Sequence, residues 1–70
     1  MSAGTTVLVN GERRTFAAPA TLATLLEQLK LDPRTVVVEH NRHIVRRGDL
    51  SGTAVSEGDQ VEIVHFVGGG

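Results

Sequence analysis

The chain has no cysteine, tryptophan or tyrosine, and only two aromatic residues, Phe16 and Phe66, in 70. Without cysteine there can be no disulfide and no thiolate metal site. With so few aromatics there is no platform for stacking nucleic-acid bases. Charge of one sign is also scarce: seven Lys/Arg against eight Asp/Glu leave a net −1, which gathers neither nucleic acid nor anionic lipid. The longest branched apolar runs, residues 7–9 and 36–38, are far too short to span a bilayer. No basic segment leads into an apolar stretch at the start of the chain, so no secretory signal is read and the cytoplasm is the expected compartment. What the chain does have is 40% apolar and 21% charged residues, a balance that favours one small folded domain over disorder. A domain of this size buries only about 60% of its unfolded surface, which leaves no room for an enclosed reaction chamber.

Residues 5–10 are rich in β-branched side chains and read as a strand. Asn10-Gly11 is a hairpin signal, because both residues tolerate positive φ, and residues 12–16 return as its partner. Val7 and Val9 share one strand face and are assigned to the core, which leaves Leu8 on the other. Leu22, Leu25, Leu26 and Leu29 fall at i, i+3, i+4 and i+7, the stripe of an amphipathic helix about ten residues long. Thr21 is its predicted N-cap, and Asp32-Pro33 its predicted stop. Residues 35–39 read as a third strand, Asn41-Arg42 as a tight turn and Ile44-Val45 as a short fourth strand. Residues 46–58 read as a loop with a helical turn near Asp49-Leu50. Residues 60–67 form the last strand, with Val61 and Ile63 on the face opposite Val64 and Phe66. The first strand, the helix and the third strand suit a right-handed crossover. The expected fold is α+β: a ubiquitin-like β-grasp, with a mixed four- to five-stranded sheet packed on one main helix. The expected organisation is a domain over residues 1–67 and a flexible glycine tail over 68–70.

Gly68, Gly69 and Gly70 do nothing for a strand and lose the most entropy on ordering. Such an ending is often only a frayed tail. Here it follows directly on a core-anchored strand and ends in a carboxylate. A carboxylate is a poor electrophile until it is made into a mixed anhydride. Glycine removes Cβ hindrance at that carbonyl and lets the terminus thread into another protein's narrow site. The tail therefore points to a substrate or carrier rather than a catalyst.

The stretches Val7-Leu8-Val9-Asn10-Gly11, Val36-Val37-Val38-Glu39-His40-Asn41 and Glu57-Gly58-Asp59-Gln60-Val61-Glu62-Ile63-Val64, with the closing Phe66-Val67-Gly68-Gly69-Gly70, resemble the sulfur carrier proteins of thiamine biosynthesis, the ThiS type. The resemblance covers nearly the whole chain. It implies that an E1-like adenylyltransferase of the ThiF type, using ATP and Mg, adenylates the carboxylate of Gly70. It implies further that a persulfide relay converts this group to a thiocarboxylate, which gives its sulfur to a thiazole synthase of the ThiG type. The carrier itself would bind no cofactor and no nucleic acid or membrane. Against the family pattern, Arg42 replaces a common glycine after the turn asparagine, and Arg46 stands where proline is frequent.

Leu8, Val64 and Phe66, with Val67 beside the tail, are expected to form an outward apolar patch for these partners. His40 and His43 lie three apart, but no further His or Cys completes a metal site, so they read as polar turn residues. His65 has inward parity and reads as a partly covered edge histidine. Arg42, Arg46 and Arg47, balanced by Glu39, Asp49 and Glu57, read as solvated surface. Two other functions fit the pattern less well. One is the small subunit of molybdopterin synthase, a cousin with a glycine end. The other is a β-grasp RNA-binding module, which the charge balance disfavours.

Overall fold

The structure is a computed structural model that describes residues 4–66. Five strands form one mixed sheet: β1 (Gly4–Val9), β2 (Glu12–Ala17), β3 (Val36–His40), β4 (His43–Val45) and β5 (Gln60–His65). Their spatial order is β2-β1-β5-β3-β4. One helix, α1 (Leu22–Gln28), covers a single sheet face. This is the expected β-grasp. The boundary expected between residues 67 and 68 lies outside the described residues.

Both hairpins turn on two residues with positive φ, Asn10 and Gly11 in the first and Asn41 and Arg42 in the second. Such a turn matches the right-handed twist of its flanking strands, and it fixes the Val9–Glu12 and His40–His43 registers. Alternation does the rest. Val7, Val9, Phe16, Val36, Val38, Val61 and Ile63 point to the helix side and are buried. Leu22, Leu25 and Leu26 of α1 fill the space against them.

The helix has a capped start. The Thr24 amide donates to Thr21 Oγ1 (3.2 Å), and the Thr21 amide donates to Thr24 Oγ1 (2.8 Å). This is a capping box with threonine in the place usually held by Glu or Gln. The amides of Leu22 and Ala23, which would otherwise be orphans, donate to the carbonyls of Thr53 (3.0 Å) and Leu50 (3.2 Å).

Four expectations need correction. The helix is seven residues long, because it closes before Asp32-Pro33. Lys30 takes φ 61°, and the amides of Lys30 and Leu31 donate to Glu27 O and Leu26 O. That is a Schellman closure, with lysine where glycine is usual. Residue 35 belongs to a 3₁₀ turn (Pro33–Thr35) capped by Asp32, so β3 starts at Val36. The last strand stops at His65, not at residue 67. The crossover also differs. β1 runs parallel to β5, and β5 antiparallel to β3, so β1 and β3 are antiparallel. The helix instead links β2 to β3, two parallel strands with β1 and β5 between them.

The segment from residue 46 to 58 is irregular apart from a 3₁₀ turn (Arg47–Asp49). It nevertheless supplies two core side chains, Leu50 and Val55. Among the described residues no helix is long and apolar enough to cross a membrane.

Candidate functional site

The candidate site is the far end of β5, where the chain leaves the sheet. β5 is held on both sides. Along β3 it pairs from His40–Val61 to Val36–His65. Along β1 the ladder covers only Leu8–Gln60 and Val9–Val61, because β1 then turns into its hairpin. Asn10 continues the ladder with its side chain. Its Oδ1 accepts from the Ile63 amide (2.7 Å) and its Nδ2 donates to the Ile63 carbonyl (3.1 Å). The left-handed backbone of Asn10, φ 51°, is one that asparagine tolerates better than most residues, and it aims the amide at the neighbouring strand. One bond follows β5: the Phe66 amide donates to the Thr35 carbonyl (3.3 Å). Val67, Gly68, Gly69 and Gly70 lie outside the described residues.

The outward side of this end is apolar. Val64 sits opposite Val37, and they are 59% and 38% exposed; Phe66 is 49% exposed. Ile44 on β4, 69% exposed, faces Glu39 and lies diagonally from Val37. Val37 and Ile44 were missed as surface candidates. The signal was present in the alternation of β3 and β4, but it becomes useful only when the pairing partners are known. Leu8 is elsewhere. It is half-buried and in register with Gln60, four residues from Val64, or about 13 Å at the rise of a strand. It does not form one contiguous patch with Val64 and Phe66.

The inward side of the same end is an open groove lined by Val9, Asn10, Leu29, Leu31, Ile63 and His65. Glu12 and Arg14 stand at its rim, 3.7 Å apart. His65 is exposed there rather than partly covered.

His40 and Asp59 brace the opposite end of β5. Their side chains are only 18% and 16% exposed and lie 2.7 Å apart. Burial raises the Asp59 carboxyl, but the His40 ring, the Ser56 amide and Asn41 together hold it below the usual carboxylate range. The Ser56 amide donates to the same Oδ2 (2.9 Å), so the pair ties β3 to the turn that launches β5. A carboxylate has no proton to donate, so His40 Nε2–H is the donor. His43 is exposed, and its Nδ1–H donates to the Asn41 carbonyl (3.1 Å). Among the described residues no three His, Cys, Asp or Glu side chains gather as metal ligands. Arg42, Arg46 and Arg47 are exposed. Elsewhere on the surface Arg34 chelates Asp32, with Nε and Nη2 donating at 3.2 and 3.0 Å. The Arg34 side chain and backbone hydrogen bonds hold the Asp32 carboxyl down.

The family model described as the ThiS family matches residues 7–70. A thiazole synthase from Paramagnetospirillum magneticum is 45% identical over 64 residues, which is 91% of this chain and 20% of that protein. The sulfur carrier protein ThiS of Bacillus subtilis is 38% identical over 50 residues, 71% of this chain and 76% of that one. Among solved structures, the crystal structure of the thiamine biosynthesis protein ThiS from Geobacter metallireducens superposes with a TM-score of 0.79 at 35% identity. It covers 93% of this chain and 99% of the other. The chain therefore spans about a fifth of the length of the thiazole synthase that it matches.

Proposed function

The chain belongs to the ThiS family, and from that premise we propose that it is a sulfur carrier of thiamine biosynthesis whose working group is the carboxylate of Gly70. The observation that carries this reading is that the family match runs through the glycine end to residue 70. The carboxylate of Gly70 attacks the α-phosphorus of Mg-bound ATP in the site of a ThiF-type adenylyltransferase. Pyrophosphate leaves, and an acyl-adenylate forms. A persulfide sulfur then displaces AMP, and a thiol cleaves the resulting acyl disulfide, leaving a thiocarboxylate on Gly70. A ThiG-type thiazole synthase accepts that sulfur. The presence of a carrier-like segment within a thiazole synthase supports the last partnership. In this scheme the chain is a co-substrate and supplies no acid, base or nucleophile beyond its own terminus. Gly68 and Gly69 serve as the slim lead into the partner's site.

The sheet end described above gives the partners a surface to grip. Val64 and Phe66, with Val37 and Ile44 beside them, form its exposed apolar part. Leu8, in register with Gln60, lies outside this surface.

The test is incubation with the adenylyltransferase, Mg-ATP and a sulfur source, read by intact mass. The expected product carries one sulfur in place of one terminal oxygen. No exchange, under conditions where a proven carrier reacts, overturns the reading. Val64→Asp is expected to raise the KM of the carrier for the adenylyltransferase by tenfold or more with little change in Tm, since the side chain is mostly in water. A fall in Tm at unchanged KM would show that Val64 acts in packing instead.

A further inference from the structure

The outward sheet face breaks a rule of strand pairing. Glu39 and Glu62 sit directly opposite each other on the two adjacent strands β3 and β5. Like charges in that relation destabilise a sheet, whereas opposite charges stabilise it. Among the described residues, neither carboxylate has an ion-pair partner within 4.0 Å. The ion pairs found there are Arg14–Glu12, Arg34–Asp32 and His40–Asp59. Arg42 and Arg46, two residues to either side of Ile44, do not reach Glu39. Toward the end of β5 the outward neighbours are apolar: Val37 and Val64 form the next pair along these strands, and Ile44 lies across from Glu39, while on the other side the pair is followed by polar Asn41 and Gln60. Two negative charges are thus set beside an exposed apolar surface. Local violations of this kind gather where a protein meets something else.

The length of the tail says what covers this surface. From Phe66 the last four residues reach at most about 14 Å. A protein that acts on the Gly70 carboxylate must bring its site within that distance of the sheet end, and its body then lies against the strands beside it. The first protein to do so is the adenylyltransferase. We propose that the adenylyltransferase meets this face with a guanidinium or ammonium group seated between Glu39 and Glu62, ringed by apolar side chains that cover Val37, Ile44, Val64 and Phe66. The inference rests on the carrier reading. In the free carrier the two carboxylates repel each other across water. In the complex they share one cation in a drier setting, where charge-assisted bonds are stronger. A hydrogen-bonding but neutral partner would leave the repulsion in place.

The double variant Glu39→Gln/Glu62→Gln keeps the shape of both side chains and removes both charges. With the adenylyltransferase and Mg-ATP as the probe, its KM as carrier is expected to rise at least tenfold at low ionic strength. The dependence of KM on salt should flatten, and Tm should hold or rise. Glu62→Asp keeps the charge and should restore most of the affinity, which a purely structural role for the side chain would not require. Glu27→Gln, on the helix side, should change neither quantity. A double variant with wild-type KM and wild-type salt dependence overturns the inference while leaving the carrier reading intact. Wild-type protein that takes up no sulfur at all overturns the carrier reading, and this inference with it.

Discussion

Arg42 holds a backbone conformation that a side chain resists. Its φ of 73° lies in the left-handed region, which costs a residue with a Cβ about 1–2 kcal/mol. Glycine escapes that cost but gives up about 0.5–1 kcal/mol of chain entropy. Arg42→Gly should therefore stabilise the fold by about 0.5–1 kcal/mol, seen as a Tm higher by roughly 3–6 °C in a domain of this size. Asp59 makes the opposite kind of statement. Its carboxyl is held below the ordinary range in the folded chain, so its contribution is present above its unfolded value near pH ~3.9. That contribution is lost as pH falls through the lower folded value. Asp59→Asn should cost about 1–3 kcal/mol at neutral pH, the weight of hydrogen bonds to a charged group. Urea unfolding at pH 7 and again below pH 4 should show the gap between variant and wild type closing as acid protonates the native carboxylate.

At the scale of elements, the last strand depends on a side chain from another turn. Asn10→Gly keeps the positive φ without strain and deletes the two bonds to Ile63. It should lower stability by about 1–2 kcal/mol and speed amide exchange at Ile63 more than at Val38. This dependence was not legible in the sequence. Asn10-Gly11 announces a hairpin, and the hairpin is there, but nothing local tells that the asparagine amide will stand in for a strand. The helix shows the same division. Its Thr21 cap and the Leu22, Leu25, Leu26 part of its stripe are local patterns found as read, while Leu29, the expected fourth member, is the partly buried C-cap beyond the last helical residue. Its end is set by Lys30 adopting a left-handed conformation and by Leu31 packing back on the core, which no residue preference announces. Leu50 and Val55 were passed over because a polar, glycine-marked segment hides two isolated apolar residues that only tertiary contact explains. The outward pairing of Val37 with Val64, and of Glu39 with Glu62, follows from the strand order, which no local pattern specifies.

For the whole molecule, the core is one layer between helix and sheet, and it has little redundancy. Leu25 is wholly buried. Leu25→Ala should remove about 2–5 kcal/mol, a large share of what holds a domain this small, and thermal unfolding should show the protein partly unfolded near body temperature. Deleting Gly70 is the complementary experiment. Glycine has no side chain to pack in a core, so Tm should stay within a degree or two of wild type. Sulfur loading, read by intact mass, should be abolished or moved to a misplaced terminus. Loss of stability in step with loss of loading would mean that the tail belongs to the fold.

The strand that leads toward Gly70 runs through the middle of the sheet, flanked by β1 on one side and β3 on the other. A pull along β5 at its Phe66 end loads the β3 ladder, as shear, before it reaches the Asn10 bonds and the short β1 ladder nearer the start of the strand. In the carrier role proposed above, that shear resistance lets the terminus be drawn into a tight passage and released after reaction while the sheet stays whole.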